Sequence, residues 1–278
     1  MKKNPVIVTG GSGSIGEAAV NFLVNEDIPV IMTYRNLEKG ENIRKKILEK
    51  RRDAKIKLIK LELDNRDSIL KFIATIKEEK IRIGGLLNIA GSMNKHYTET
   101  VNGVESVMAV NYMAPYVLTR LSIPYLADNA RIVNTVSVMC RYGKITDDFL
   151  IPTPKTYSRF KIYSNSKLGL MLFSVVLSEH IPNSCIVCTA DPGVVNSDML
   201  RMDSWFDPLT DILFRPFTKT PTQGAVPIIN AFSASESGYI FKGEKSYLIP
   251  EKYRLHPKRY FLWNHTEEFI KKHLNISI

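Results

Sequence analysis

The sequence predicts an α/β fold, a doubly wound and mainly parallel sheet of about seven strands with helices on both faces. Short apolar runs typical of buried strands alternate along the chain with segments whose apolar residues recur at helical spacing. The first apolar run also passes directly into a glycine-rich loop and then a helical pattern. This alternation is typical of right-handed βαβ units. No repeat or linker interrupts it, so we predict one domain over residues 1–278.

The predicted elements follow in chain order. Strand patterns occupy residues 5–9, 29–34, 56–63, 86–91, 131–137 and 184–190. Helical patterns follow the first glycine loop, then occupy residues 37–52, 68–76 and 104–126, and a last one begins at Ile162. A proline-rich loop is predicted over residues 149–157, and the aromatic-rich segment 197–222 is predicted to be an insertion that covers a cleft.

The composition indicates a soluble globular protein of a reducing compartment. Apolar residues make up 44% and charged residues 24% of the chain. No apolar run is long enough to span a membrane, and the first strand begins too early to leave room for a signal peptide. Three cysteines do not suggest a disulfide framework. We therefore expect a cytoplasmic protein without a membrane span.

The formal charge of +10 raises the question of a nucleic-acid partner. The lysines and arginines are, however, spread over helical segments and interleaved with glutamate, without an arginine-rich arm or zinc spacing. We predict no nucleic-acid partner, and interpret the charge as solvated surface that partly favours an anionic small molecule.

The loop of residues 10–16, Gly-Gly-Ser-Gly-Ser-Ile-Gly, has the properties of a phosphate site. Glycines let the backbone pass close to a pyrophosphate, and the next helix presents free N–H groups at its positive end. Glycine-rich turns are common in other proteins, but the position between a first strand and a helix favours a dinucleotide.

The end of the second strand indicates which dinucleotide. An NAD site usually has a carboxylate there for the ribose 2′-hydroxyl, whereas an NADP site has a cation for the 2′-phosphate. The chain has Arg35 and no acidic residue before Glu38. We therefore predict that Arg35 binds the 2′-phosphate and that NADP(H) is preferred over NAD(H); the alternative is an ordinary surface arginine.

Tyr163 and Lys167 lie four residues apart in a helical pattern. Residues at this spacing share one face of a helix, so the phenol and the ammonium can converge. A neighbouring cation lowers the pKa of a phenol, which would let Tyr163 exchange a proton with a substrate. Taken alone, the same spacing is common in ordinary amphipathic helices, so the rest of the chain must decide.

The order of motifs resembles the short-chain dehydrogenase/reductases over nearly the whole chain. The matching positions are Thr9-Gly10 with Ser14-Ile15-Gly16, Leu63-Asp64, Asn88-Ile89-Ala90-Gly91, Asn111, Ser137, Tyr163 with Lys167, and Pro192-Gly193. Residues 35–40, 163–168, 217–225 and 237–241 are similar to the retinol-dehydrogenase-like branch. The resemblance implies a single Rossmann domain and an oxidoreductase that reduces a ketone or aldehyde, or oxidises the alcohol, with NADP(H).

The resemblance also implies four catalytic roles. Tyr163 would be the acid that protonates the carbonyl oxygen, and Ser137 would hydrogen-bond the same oxygen. Lys167 would lower the pKa of Tyr163 and bind the nicotinamide ribose. Asn111 would hold a water that links Lys167 to solvent.

Cofactor contacts are implied along the same motifs. They are Gly10, Ser12, Ser14, Ile15, Gly16, Arg35, Leu63, Asp64, Asn88, Ala90, Gly91, Tyr163, Lys167, Pro192, Gly193, Val195 and Ser197. Three positions depart from the family pattern: Ser14 replaces a usual glycine, Ile89 replaces a polar turn residue, and Asp191 precedes Pro192. The Ile89 departure puts hydrogen bonds of the turn in question, and Asp191 has no role that the sequence explains.

The substrate is predicted to be a small molecule, an apolar carbonyl or alcohol compound. Its pocket would be lined by Met93, Met139, Tyr157, Val194, Trp205 and Phe206, with the loop of residues 144–161 as the element that selects it. The apolar residues of segment 199–217 could equally pack this segment onto the domain. Two other functions remain open, a catalytically idle dinucleotide-binding redox sensor and a sugar-nucleotide epimerase or dehydratase.

Neither the cysteines nor the histidines predict a metal site. Cys185 and Cys188 have the spacing of some redox and metal sites, but in a strand they would point to opposite faces, and we predict buried core. Among family members, the helices that here begin at Val104 and Tyr163 form dimers, so a homodimer is compatible with the sequence.

Overall fold

The computed structural model describes residues 3–155, 157–182, 184–195 and 218–278. In these ranges eight strands form one sheet in the order β3-β2-β1-β4-β5-β6-β7-β8. The strands are β1 (Val6–Thr9), β2 (Val30–Tyr34), β3 (Ile56–Lys60), β4 (Ile83–Asn88), β5 (Leu126–Thr135), β6 (Ile186–Asp191), β7 (Tyr239–Lys242) and β8 (Lys245–Leu248). All neighbouring pairs are parallel except β7 and β8, which form an antiparallel hairpin. The sheet therefore has one strand more than the predicted number of about seven, and the additional strand belongs to this C-terminal hairpin.

Helices fill the connections. They are α1 (Ser14–Asn25), α2 (Leu37–Lys50), α3 (Arg66–Glu78), α4 (Ser106–Met108), α5 (Ala114–Ser122), α6 (Arg159–His180), α7 (Pro221–Phe232), α8 (Glu251–Arg254) and α9 (Arg259–His273). A π-helical turn (Ala109–Met113) joins α4 to α5, and short 3₁₀ segments occupy Ile123–Tyr125 and Val138–Tyr142.

Two apolar clusters lie on the two faces of the sheet. Strand residues alternate between them, so that Ile7 and Leu86 belong to one cluster and Val8 and Leu87 to the other. The first cluster includes residues of α3, α5, α6 and α9, and the second includes residues of α1, α2 and α7. The prediction of a mainly parallel sheet covered on both faces is confirmed.

The helix predicted over residues 104–126 is shorter and less regular than expected. Its regular part ends at Ser122 and the chain turns into β5 at Leu126. Pro124 explains this end, because it has no N–H to donate to the carbonyl of Arg120, and the chain continues only as the 3₁₀ segment. The fifth strand consequently begins at Leu126 rather than at residue 131, and the sixth runs one residue further than predicted, to Asp191.

The C-terminal helix α9 covers the helices through which a dimer was expected. Its Thr266 hydroxyl bonds the Tyr112 hydroxyl at 2.7 Å, and Glu267 pairs with Arg120 of α5 at 2.7 Å. The ring of Trp263 packs against that of Tyr116, with 5.4 Å between the ring centres. A homodimer built on this face would first have to displace the chain's own helix.

Among the described residues, no helix combines the length and the apolar character that crossing a bilayer requires.

Candidate active site

A cleft of about 480 Å³ opens at the carboxyl ends of β1, β2 and β4. The chain crosses over between β1 and β4, and ligands of doubly wound sheets bind at such a switch point. The structure brings ten predicted cofactor residues to its lining: Gly10, Ser12, Ser14, Ile15, Gly16, Arg35, Leu63, Asp64, Ala90 and Gly91. The other described residues of that prediction do not line this cleft: Asn88, Tyr163, Lys167, Pro192, Gly193 and Val195. The Asn88 amide is buried and donates to Asn134 at 2.8 Å.

The glycine loop forms a cradle that side chains would fill. Gly10 has φ +67° and packs against the backbone of Ala90, where a Cβ would approach to 2.9 Å. A Cβ on Gly16 would lie 2.1 Å from the carbonyl oxygen of Gly10. Ser14 is the first residue of α1 and has no left-handed backbone, so its side chain is tolerated there. This shape and the free N–H groups of α1 fit the pyrophosphate of a dinucleotide.

Ser92, which follows β4 and lines the cleft, is a second residue that fits a bound ligand. Its Oγ is buried and has no hydrogen-bond partner among the residues that the structure describes. A buried hydroxyl without a partner is costly, and a polar group of a bound ligand would satisfy it.

The adenosine end of the cleft carries two cations. Arg35 and Lys39 both line it and are exposed, and neither forms an ion pair within the described part of the chain. Between them, the Asn36 side chain caps α2 by accepting from the Lys39 N–H at 2.9 Å. Lys39 was not predicted, although its position four residues after Arg35 in the α2 pattern could have indicated it.

Thr9 resolves the question raised by Ile89. Its Oγ1 accepts from the N–H groups of Ile89 at 3.1 Å and Ala90 at 3.3 Å, and it donates to the Leu87 carbonyl at 3.3 Å. The turn after β4 is therefore bonded through the side chain of β1, and a polar residue at position 89 is not needed.

Ser137, Tyr163 and Lys167 meet where β5 ends. Ser137 caps the 3₁₀ segment, with its Oγ accepting from the Met139 N–H at 3.2 Å, and it hydrogen-bonds the Tyr163 side chain. The Lys167 ammonium lies 5.8 Å from the centre of the Tyr163 ring. It donates to the Thr135 carbonyl at 2.8 Å, so the helix cation is fixed to the strand end.

The protonation of this pair differs from the expectation. Burial raises the pKa of Tyr163 to about 12, against a lowering by the hydrogen bond with Ser137. Burial lowers the pKa of Lys167 to about 8. The prediction that Lys167 depresses the Tyr163 pKa is therefore wrong for the protein alone, because the loss of hydration outweighs the cation and the ammonium is directed to Thr135.

Asn111 lies in the π-helical turn and is fully buried. Its amide donates to the Ser92 carbonyl at 2.9 Å and to the Ser166 hydroxyl at 3.2 Å, while its oxygen accepts from the Ser92 N–H at 2.8 Å. The side chain thus ties the loop after β4 to the helix of Tyr163. Both N–H groups of the amide are therefore used within the protein.

The structure gives Asp191 a role that the sequence does not explain. It is buried at the end of β6, and its Oδ1 accepts from the Gly193 N–H at 3.0 Å. Gly193 has φ +75°, a conformation that favours glycine. Val195 follows this turn, is buried, and pairs with Lys219 in an isolated parallel β-bridge. The predicted cofactor contact Ser197 lies outside the described residues.

The predicted substrate residues are only partly described. The Tyr157 hydroxyl donates to the Asn94 carbonyl at 2.7 Å, next to Met93, so loop 144–161 and the loop after β4 are bonded together. Met139 is half-buried beside Ser137, and Val194 is exposed. Trp205, Phe206 and most of segment 197–222 lie outside the described residues.

The cysteine prediction agrees with the structure. Cys185 and Cys188 are free and buried, and Cys188 Sγ donates to the Glu236 carbonyl at 3.2 Å. Within the ranges that the structure describes, no cluster of histidine, cysteine and carboxylate side chains could hold a metal ion.

Sequence comparisons find one family. A model of the short chain dehydrogenase family matches residues 4–205. Retinol dehydrogenase 12 of Homo sapiens is 30% identical over 272 residues, which cover 95% of this chain and 85% of that protein. Retinol dehydrogenase 11 of Homo sapiens is 32% identical over 228 residues, covering 79% and 70%. Polyprenol dehydrogenase of Homo sapiens is 31% identical over 229 residues, covering 79% and 69%.

Solved structures share the fold. A protein from Mycobacterium Paratuberculosis matches with a TM-score of 0.77 at 23% identity, covering 96% of this chain and 93% of that one. A short chain dehydrogenase from Burkholderia cenocepacia J2315 in complex with NADP matches with a TM-score of 0.67 at 19% identity, covering 87% and 97%. At these identities the likeness shows the fold alone.

Proposed function

Since the chain belongs to the short-chain dehydrogenase family, in its retinol-dehydrogenase-like branch, and is thus an oxidoreductase of alcohol and carbonyl groups, we propose that it is an NADP(H)-dependent carbonyl reductase with Tyr163 as the acid. The observation that supports this proposal best is the buried group of Ser137, Tyr163 and Lys167 at the end of β5.

Tyr163 supplies the proton. With a pKa raised to about 12, its hydroxyl is protonated at neutral pH, the state that reduction of a carbonyl requires. Its hydrogen bond with Ser137 orients it, and the Ser137 hydroxyl can stabilise the negative charge that develops on the carbonyl oxygen. In the direction of alcohol oxidation the same tyrosine has to act as a base, which its high pKa disfavours near pH 7.

Lys167 and Asn111 support the proton donor. We expect the Lys167 ammonium to bind ribose hydroxyls of the nicotinamide half, and the cofactor to supply the hydride chemistry. Asn111 fixes the spacing between Ser92 and the catalytic helix. Because both N–H groups of its amide are used, we assign any water-holding role at this position to the main-chain carbonyl of the π-helical turn.

The preference for NADP(H) rests on the adenosine end of the cleft. Arg35 and Lys39 place two exposed cations on either side of the α2 N-terminus, and Asp64 lines the cleft beyond them. A 2′-phosphate would meet both side chains and the positive helix end, whereas a 2′-hydroxyl would leave the cations without a partner. Short-chain dehydrogenases of the same fold have been solved with NADP and with NADPH.

The substrate is proposed to be an apolar carbonyl or alcohol. Relatives are named for retinol and polyprenol, both apolar alcohols. Met93, Met139 and Val194 are proposed to line an apolar pocket beside the Tyr163 hydroxyl, and segment 197–222 is proposed as its cover. We also propose one domain over residues 1–278. The buried, free cysteines support a reducing compartment such as the cytoplasm.

An idle redox sensor of the same fold is the second candidate, but nothing at the site favours it. Such a protein would need no proton donor, and here Tyr163 has its hydrogen-bonded partner Ser137 and the fixed cation Lys167. A sugar-nucleotide epimerase or dehydratase remains the third.

Binding and turnover test the proposal separately. NADPH and NADH are titrated by nicotinamide fluorescence into wild type, Arg35→Ala, Lys39→Ala and Arg52→Ala, the last removing an exposed α2-end cation away from the cleft. We expect a roughly 10- to 100-fold loss of NADPH affinity for the first two, and no change for NADH. The reduction of a panel of apolar aldehydes and ketones is then followed by nicotinamide absorbance in wild type and in Tyr163→Phe, which we expect to be inactive. Equal affinities for the two cofactors refute the phosphate assignment, and near wild-type turnover by Tyr163→Phe refutes the acid.

A further inference from the structure

Asp191 is a buried carboxylate next to the proposed active site, and the family pattern gives it no role. Only 6% of the residue is exposed, at the last position of β6. Lys167 donates to the carbonyl of Thr135 in β5. Thr135 is paired with Ala190 of the neighbouring strand β6, and Asp191 is the next residue of that strand. The carboxylate therefore stands one residue beyond the point where the lysine is fixed to the sheet.

The carboxylate of Asp191 acts electrostatically on Lys167 and Tyr163, and also on Cys140. Its negative charge acts on Lys167, where it opposes the lowering of the pKa by burial, and on Tyr163, where it adds to the raising by burial. A negative charge favours an ammonium and disfavours a phenolate, so both effects keep the protons on the two side chains.

We infer that Asp191 is a positioning residue whose carboxylate is the fixed counter-charge that keeps the buried Lys167 ammonium and the Tyr163 hydroxyl protonated. The inference deepens the proposed function and rests on it, since the roles of Lys167 and Tyr163 are part of that proposal. The hydrogen bond from the Gly193 N–H fixes the carboxylate in place, because it ties one oxygen to the backbone of the turn.

Two other titratable groups face Lys167, Cys140 from the 3₁₀ segment and Tyr163 from its own helix. Burial raises the pKa of Cys140 to about 11 and that of Tyr163 to about 12. Both are therefore neutral near pH 7. Among the described residues this leaves Asp191 as the anion that acts on the ammonium at neutral pH.

Cations also face Asp191 itself. The Lys219 ammonium lies beside Gly193, 3.2 Å from where a Cβ on that glycine would be. Lys242 of β7 is in register with Asp191 but is exposed to solvent. Neither lysine is removed by the substitutions proposed below.

An asparagine variant separates the effect of the Asp191 charge from the effect of its hydrogen bond with the Gly193 N–H. Asp191→Asn keeps an oxygen that can accept from the Gly193 N–H and removes the negative charge, whereas Asp191→Ala removes both. Glu49→Gln, on the exposed face of α2, controls for the change in net charge. A purely structural role for Asp191 predicts that the asparagine variant behaves like wild type.

The decisive measurement is the protonation of Lys167 in the cofactor-free protein. Lysine labelled with ¹³Cε and ¹⁵Nζ is titrated by NMR, and the Lys167 signal is assigned by its absence from Lys167→Met. We expect a midpoint near pH 8 in wild type and in Glu49→Gln, and a midpoint about one pH unit lower in Asp191→Asn. An unchanged midpoint in Asp191→Asn, or a shift seen in Asp191→Ala alone, overturns the inference.

The pH dependence of NADPH affinity distinguishes this result from a failure of the proposed function. If Lys167 binds the ribose as an ammonium, affinity falls as pH rises through its midpoint, and this fall begins about one pH unit lower in Asp191→Asn. A shifted NMR midpoint in a protein that binds no dinucleotide contradicts the proposed function and leaves the charge coupling in place. A tight NADPH complex whose pH dependence is identical in wild type and Asp191→Asn overturns the inference and leaves the proposed function in place.

Discussion

The ammonium of Lys167 donates to the main-chain carbonyl of Thr135 at 2.8 Å, joining the middle of a 22-residue helix to the last residue of β5. Lys167 is 3% exposed, so this carbonyl replaces much of the water that the ammonium loses on folding. The same strand end leads into Ser137, which hydrogen-bonds Tyr163. Helix and strand thus position the three side chains through one short stretch of backbone.

The first prediction concerns the pH profile of carbonyl reduction. Burial lowers the pKa of Lys167 from 10.5 to about 8, so the ammonium is present below pH 8 and is lost as the pH rises through that value. We expect kcat/KM for reduction to fall above about pH 8. Lys167→Arg is the control, because a guanidinium stays charged throughout this range. A falling limb at the same pH in the arginine variant would assign the limb to another group.

The second prediction concerns stability. Folding moves the Lys167 ammonium into a buried site, and the lowering of its pKa from 10.5 to about 8 corresponds to a cost on the order of 3 kcal/mol at neutral pH. Replacement by methionine removes this cost and leaves the Thr135 carbonyl without a donor, which costs about 1–3 kcal/mol. We expect Lys167→Met to be inactive and more stable by about 1 kcal/mol at pH 7. Urea unfolding measures this, with Lys161→Met on the same helix as the exposed control.

The pH dependence of this difference follows from linkage. Between pH 8 and 10.5 the unfolded chain binds more protons at Lys167 than the folded one, so this group makes wild type more stable as the pH rises. The advantage of Lys167→Met should therefore shrink towards pH 10. An advantage that grows over this range would show that the ammonium stabilises the fold.

The sequence predicts the strands of the sheet better than it predicts the ends of the elements. Five of the six predicted strands are visible as buried apolar runs, since both faces of a parallel sheet are covered, and β3 at the sheet edge is visible by its alternation of apolar and basic residues. The hairpin of β7 and β8 is not, because Tyr239–Lys242 and Lys245–Leu248 are short, and all of β8 is exposed. The break of the long helix at Ser122 depends on Pro124, which the apolar period alone does not weigh.

At the site, local motifs are predictable and contacts between distant segments are not. The glycine loop and Arg35 follow from strand, turn and helix signals. The role of Thr9 requires β1 and β4 to be neighbours, and that of Asp191 requires the pairing of β6 with β5. The pKa of Tyr163 is missed for a similar reason, since a spacing of four residues predicts a nearby cation but not the burial that outweighs it.

The third prediction compares two glycines of the same loop. A Cβ at Gly16 would lie 2.1 Å from the Gly10 carbonyl oxygen, so the loop must shift. At Gly13, the N-cap of α1 with φ −87°, the nearest atom would be 3.3 Å away. We expect Gly16→Ala to lose NADPH affinity by roughly 10-fold or more, which is 1.4 kcal/mol or more, and Gly13→Ala to lose far less. Equal losses would show that the cradle does not depend on the close packing of Gly16.

The fourth prediction concerns Asn111. Asn111→Ala leaves the N–H and the carbonyl of Ser92 without their partners at the edge of the cleft. Unmade hydrogen bonds of buried groups cost about 1–3 kcal/mol each. We expect a lower free energy of unfolding together with weaker NADPH binding, because the loop that lines the cleft loses its anchor. Thr75→Ala, which removes an exposed bond to the Lys71 carbonyl, is the matched control and should change neither quantity.

The last prediction concerns α9 and the association state. This helix places Trp263 and the buried Thr266 on α5 and the π-helical turn, where Tyr112 and Tyr116 are buried under it. Ending the chain at residue 258 would expose this apolar face, and faces of that kind drive association of proteins. We expect the full chain to be a monomer by light scattering and the shortened chain to form dimers or aggregates. Glu267→Gln, which weakens the ion pair with Arg120 but keeps the helix in place, should remain a monomer. A full-length dimer that persists after Glu267→Gln and in the shortened chain alike would place the contact between copies on another surface.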